Sequence, residues 1–160
     1  MKLNLDFQIA YQPSYLPTHP QMVQWAEAAL DKALSYSDDK HFIGEEVLEL
    51  TIRVVDETES AQLNFQYRGK NKPTNVLSFR PNLPKGIQLP ILGDLVICAP
   101  VVSQEATRQQ KDRQAHWAHL IIHGLLHLIG HDHIEPNEAE VMEGLEIKIM
   151  QELGFNNPYL

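Results

Sequence analysis

The sequence predicts a single domain in which four short strands are packed with five helices, one of the helices buried at the centre. Three observations carry this. Apolar residues alternate in short, partly β-branched runs over the first hundred positions, which is the period of strands. After Pro100 the apolar spacing turns helical and stays so. Residues 117–129 are apolar nearly all round, the mark of a helix enclosed by other elements. At 160 residues, with 43% hydrophobic and 21% charged positions, the chain can bury one sizeable core and is too apolar to be disordered.

Each element has its own local reason. Residues 3–10, LNLDFQIA, set Leu3, Leu5, Phe7 and Ile9 on one face of a strand. Residues 21–35 carry Met22, Ala26, Ala29, Leu30 and Ala33 at helical spacing. Residues 47–55 form a second strand. Asp56 opens D-x-x-E with Glu59, a helix start that leads through Leu63 to Tyr67. Residues 75–79 and 92–98 read as two further strands, and between them PNLPKGIQLP holds three prolines and a glycine, composing an irregular loop. Helices are expected over 102–110 and 112–129, with a third from Pro136 in its first turn to Gly154. No repeat, low-complexity tract or Gly/Ser linker interrupts residues 1–160, which therefore read as one domain.

Charge is unevenly placed. The net charge of −8 disfavours a nucleic-acid partner only as an average over the chain. Residues 60–93 contain no acid, and Arg68, Lys70, Lys72, Arg80 and Lys85 give that segment +5. Residues 132–160 hold seven acids and one base. Such asymmetry is either a solvated surface or a local anion site on an acidic protein. The single Cys98 cannot form an internal disulfide, and MKLNLDFQIAYQ lacks the basic and apolar stretches of a secretory signal, so a cytoplasmic location is expected. The run 117–129 is too short to span a bilayer, and no membrane is expected.

The segment HGLLHLIGHDH, residues 123–133, places four histidines among leucines and isoleucines. His123 and His127 are four apart, so on a helix both rings leave the same face. Gly130 tolerates the left-handed conformation that ends a helix, and lets the chain turn to bring His133 back. Three neutral imidazoles with an open fourth position suit a catalytic Zn²⁺ that carries a water. The alternative is a set of core histidines satisfied by backbone carbonyls. Leaving each imidazole unpaired would cost on the order of 1–3 kcal/mol, so one shared ion accounts for the three together. His119, one turn earlier, either supports the site or packs in the core, and packing is favoured; His131 reads as pocket wall. Asp132 either orients a ligand or caps the following segment.

Metzincin proteases carry H-E-x-x-H-x-x-G-x-x-H, with the same histidine and glycine spacing. Here their glutamate position is Gly124, so the general base of that peptidase chemistry is missing. Met142 and Met150 fall on the expected last helix, with no sign of a methionine turn. What is shared is a zincin-like central metal-binding helix.

Four segments, LNFQYRGKNKPTNVLSF at 63–79, LGDLVIC at 92–98, AHWAHLIIHGLLHLIGHDH at 115–133 and EAEVMEGLEIKIMQELGFNNPY at 138–159, together resemble the YbeY family of bacterial ribosomal RNA maturation endoribonucleases. The resemblance runs over most of the chain. It implies a single α+β domain with a mixed sheet of about four strands, one zinc ion, and metal-ligand roles for His123, His127 and His133. It also implies action at the 3′ end of small-subunit (16S) ribosomal RNA and in ribosome quality control, with a single-stranded substrate. The partners it implies are RNA and ribosomal particles, with ribosomal proteins or a GTPase among them. It picks out Arg68 as the functional arginine. Two positions depart from the family pattern: His131 stands where Tyr is usual, and Arg80 follows LSF where Pro is usual.

A guanidinium offers forked donors to phosphoryl oxygens as charge develops on them, which suits Arg68 to catalysis and substrate binding. Lys70 and Lys72 would add attraction to the RNA backbone without reading its sequence. Either a 2′-hydroxyl or a metal-bound water would attack. Two other readings stay open: a zinc hydrolase of another class, such as a peptidase, and a non-catalytic metal-binding factor that docks on ribosomal particles.

Overall fold

The computed structural model describes residues 2–36, 47–87, 89–130 and 136–160. Among these, the elements run β1 (Lys2–Ile9), α1 (His19–Tyr36), β2 (Val47–Val55), α2 (Glu57–Arg68), β3 (Val76–Phe79), β4 (Ile91–Cys98), α3 (Ala99–Arg108), α4 (Arg113–Ile129) and α5 (Pro136–Glu152). The strands form one sheet in the order β1-β2-β4-β3. β1 and β4 both run parallel to β2, and β3 is antiparallel to β4, so the sheet is mixed and the domain α+β, as expected.

Side chains alternate across a strand, and the register sorts them into two faces. Leu5 pairs with Leu50, and Ile52 with Leu95, so these residues share one face with Leu48, Val54 and Ile97. That face carries the main core, closed by Met22, Trp25 and Leu30 of α1, the apolar side of α4, and Met142 and Ile149 of α5. Burying each such large side chain contributes roughly 1.5–3 kcal/mol. The opposite face bears a smaller cluster of Val55, Leu77, Val96 and Cys98, covered by Leu63 of α2 and Val101 of α3.

The helix starts follow capping chemistry. Asp56 accepts a hydrogen bond from the Glu59 amide at 2.9 Å, and Asp112 caps α4 through the Ala115 amide. α3 begins at Ala99, three residues ahead of the expected 102, because Pro100 falls in its first turn, where the missing N–H leaves nothing unpaired. α4 packs against β3, β4, α1, α3 and α5, which buries most of it. A polar side chain on α4 must therefore find a protein partner or line a cavity. Among the described residues no helix is long and apolar enough to cross a membrane.

Candidate metal centre and cleft

His119, His123 and His127 lie at i, i+4 and i+8 of α4, one stripe down a single side of the helix. Their ring centroids are 6.2 Å and then 4.6 Å apart. Gly130 ends the helix at φ +112°, and its N–H donates to the carbonyls of Leu126 and His127. The left-handed turn expected there is present. His133, His131 and Asp132 lie outside the described residues.

At its upstream end the stripe meets α5. Glu146 is fully buried, and its Oε1 accepts from His119 Nε2 at 2.9 Å and from His123 Nδ1 at 2.8 Å. Its Oε2 accepts from the Tyr159 hydroxyl at 2.7 Å. Burial alone would raise the carboxyl's pKa, but hydrogen bonds from the two rings outweigh it and bring the value down to about 2, so the group is a carboxylate. Burial holds His119 below the ordinary imidazole range even with Glu146 beside it. Burial, reinforced by the Glu146 bond, pushes the Tyr159 phenol up. The ligand atoms of His119, His123 and Glu146 all lie within 4.8 Å of one another, so this group could hold a metal ion.

At its downstream end the stripe opens into a cleft. His127 Nε2 and His123 Nε2 face each other at 3.2 Å. Two ligands of a tetrahedral zinc, each about 2.05 Å from the ion, are roughly 3.3 Å apart, so the pair has the spacing of two ligands on one ion. The ring-to-carboxylate distances of 2.8 and 2.9 Å are shorter than that and match charge-assisted hydrogen bonds. The imidazole nitrogens and their spacing thus fit two ligands of one metal ion at the Nε2 pair. The carboxylate fits a group that orients the ligands from behind.

The cleft has a volume of about 640 Å³, and Arg68, Tyr67, Asn75, Arg80, His123 and His127 are among its walls. Arg68 comes from the last turn of α2, where Gly69 at φ +72° ends the helix. The Asn64 side chain donates to the Lys72 carbonyl at 2.8 Å and ties down the loop that follows. Lys70 and Lys72 are exposed on that loop and do not line the cleft. Tyr67 stands edge-on to Phe79, with ring centroids 4.8 Å apart, and is 60% exposed. Arg80 donates from Nη2 and Nε to the His127 carbonyl at 2.9 and 3.3 Å, placing a cation at the negative end of the α4 dipole. The structure therefore brings Arg68, His123 and His127 into one cavity and adds Arg80, which the sequence marked as one cation of the acid-free segment and as a departure from the family pattern.

Gly124 explains the missing glutamate. It faces the sheet, its carbonyl accepts from Ser78 Oγ at 3.1 Å, and a Cβ there would stand 2.8 Å from Leu95 Cδ2 and 3.3 Å from Val76 Cγ2. No room exists for a carboxylate side chain without moving β3 or β4. Sequence reasoning missed Glu146 and Tyr159 altogether. For Glu146 a signal existed: it sits inside the buried stripe Met142, Leu145, Ile149 and Met150, where an acid needs a partner. His119, for which packing was favoured, is both packed and hydrogen-bonded to Glu146.

Comparison with known proteins agrees with this architecture. The solution structure of TM1509 from Thermotoga maritima is similar at a TM-score of 0.53 and 22% sequence identity, over 92% of this chain and 91% of that one, a likeness of fold. The model of the endoribonuclease YbeY family matches residues 9–154. A match over nearly the whole length, on a chain whose central helix carries this histidine stripe, means that the protein belongs to the YbeY endoribonuclease family.

Proposed function

We propose that this protein is a zinc-dependent endoribonuclease that cuts single-stranded RNA, acting at the 3′ end of small-subunit ribosomal RNA and in ribosome quality control. The observation that carries the reading is the 3.2 Å Nε2 pair of His123 and His127, opening into the same cleft as Arg68. His123, His127 and His133 would hold the zinc, which when bound supplies a Lewis acid beside the scissile phosphate.

The chain's own residues do the rest. Glu146 accepts the hydrogen bond from the Nδ1–H of His123, which keeps the proton on that nitrogen and leaves the Nε2 lone pair turned toward His127. Arg80 fixes the backbone of His127 from the cleft side. Arg68 offers forked donors to the phosphoryl oxygens and so positions the phosphate and stabilises its developing charge. Tyr67, exposed on the cleft wall, gives an unpaired base a ring to stack on, which suits a single strand over a duplex. Lys70 and Lys72, outside the cleft, attract the strand as it approaches. Steric exclusion of a glutamate at 124 disfavours the peptidase reading. Ribosomal particles in the cytoplasm are the setting this reading requires, with ribosomal proteins or a GTPase as further partners.

Arg68→Ala is the test. Arg68 is exposed, so the variant should keep its fold and its zinc while cleavage of a ribosomal RNA fragment falls about 10²- to 10³-fold, the loss seen on removing one preorganised donor. Cleavage at the wild-type rate would remove Arg68 from the mechanism.

A further inference from the structure

The segment after α5 reaches back beneath the histidine stripe. Phe155 anchors it, with its amide on the Met150 carbonyl at 2.9 Å and its ring edge-on to Trp25 at 6.1 Å. Lys111 Nζ donates to the Pro158 carbonyl, and the Tyr159 amide donates to Asn157 Oδ1 at 2.8 Å. The Tyr159 ring meets His119 edge-on, 5.3 Å between centroids, and its hydroxyl closes on Glu146 Oε2.

We propose that Tyr159 is a positioning residue for the metal centre, acting through Glu146 on the orientation of His123. The inference rests on the reading of His123 and His127 as metal ligands. Two ring N–H groups bind one carboxylate oxygen, and both could follow that oxygen if the carboxylate turned about its own Cγ–Cδ bond. The third donor, on the other oxygen, removes that freedom. With the carboxylate plane fixed, the His123 Nδ1–H points one way and its Nε2 lone pair the other, toward His127. The partner behind a ligating histidine sets its tautomer and ring angle, and losing such a partner typically weakens metal affinity 10- to 100-fold. Tyr159 is one step further back, and it acts through its hydroxyl alone; the ring's contact with His119 is separate.

The experiment measures zinc affinity of the full-length chain by chelator competition for wild type, Tyr159→Phe and His127→Ala. Tyr159→Phe keeps the ring and removes only the hydroxyl. It should bind zinc more weakly by up to about 10-fold, the low end of the loss for a direct partner because the hydroxyl is one step further back. The visible spectrum of its cobalt-loaded form should also shift from wild type, and a merely structural role in the tail would produce neither change. Equal affinity and an unchanged spectrum overturn the proposal. If wild type binds no zinc, or His127→Ala binds as wild type does, the metal reading itself fails and takes the proposal with it, a result distinct from the first. Should Tyr159→Phe not be recovered folded, histidine ring ¹⁵N shifts of the zinc-loaded wild type decide: His123 must carry its proton on Nδ1, and a proton on Nε2 overturns the proposal.

Discussion

Gly124→Ala sets two opposing effects against each other, and the structure decides the sign. Alanine is favoured over glycine inside a helix by about 1 kcal/mol, so on propensity alone the substitution stabilises. The new methyl would stand 2.8 Å from Leu95 Cδ2, 3.2 Å from Ser78 Oγ and 3.3 Å from Val76 Cγ2. Leu95 is fully buried and Val76 is stiff at χ1, so neither moves freely. Overpacking of this kind costs about 1–3 kcal/mol, and displacing the Ser78 bond to the Gly124 carbonyl about 1 more. The net is destabilisation of about 2 kcal/mol. At about 2–4 °C per kcal/mol for a chain of this size, the melting temperature should fall by about 4–8 °C. Thermal unfolding followed by far-UV circular dichroism in the presence of a chelator measures it without contribution from metal. A rise of about 2–4 °C would mean that propensity alone governs the site, and that the helix does not press on the sheet at Gly124. The case against a peptidase would then lose its steric basis.

Other outcomes follow from residues around the site. For Glu105, burial alone would raise the carboxyl, but hydrogen bonds from His116 and Asn75 outweigh it and hold the group below its ordinary 4.5. A depressed carboxyl contributes stability that is complete above pH 4.5 and is lost as pH falls through the lower folded value. Glu105→Gln should therefore destabilise by about 1.5–3 kcal/mol at neutral pH. Urea melts should show the gap from wild type narrowing below pH 4.5, and a gap independent of pH contradicts the assignment. Lys70→Ala with Lys72→Ala should weaken RNA binding evenly across sequences. The double variant should also make the log–log salt dependence shallower by roughly 1.4, about 0.7 for each cation withdrawn from a single-strand phosphate. An unchanged slope in a salt titration would remove both lysines from the interface.

Local chemistry was legible in the sequence. Strands 47–55 and 92–98, the Asp56 helix start and the Gly130 turn are each specified by a few neighbouring residues, and the structure has them where alternation and capping put them. The i, i+4 spacing of His123 and His127 forced their rings together once the helix formed. What joins distant segments was not legible. Nothing local says that β4 inserts between β2 and β3, or that Arg80 on the strand end reaches a carbonyl 47 residues later. Glu146 and Tyr159 take their roles from the packing of α5 and the following segment against α4, a tertiary arrangement to which residue spacing is blind. The acid-free segment shows the same divide. Its charge is plain in the sequence, but only the fold brings Arg68 and Arg80 to the cleft and leaves Lys70 and Lys72 outside it.

Metal content measured beside cleavage bears most directly on the proposed zinc centre. Purified wild-type protein should carry one zinc per chain, cut a defined ribosomal RNA fragment, and lose both zinc and cleavage on His127→Ala. With free zinc at about 100 times the dissociation constant, the ion adds about 2.7 kcal/mol to the stability of the wild type, and this increment should be absent from the variant. A His127→Ala protein that keeps one zinc and cuts the fragment at the wild-type rate would contradict the assignment of His123 and His127 as the catalytic metal pair.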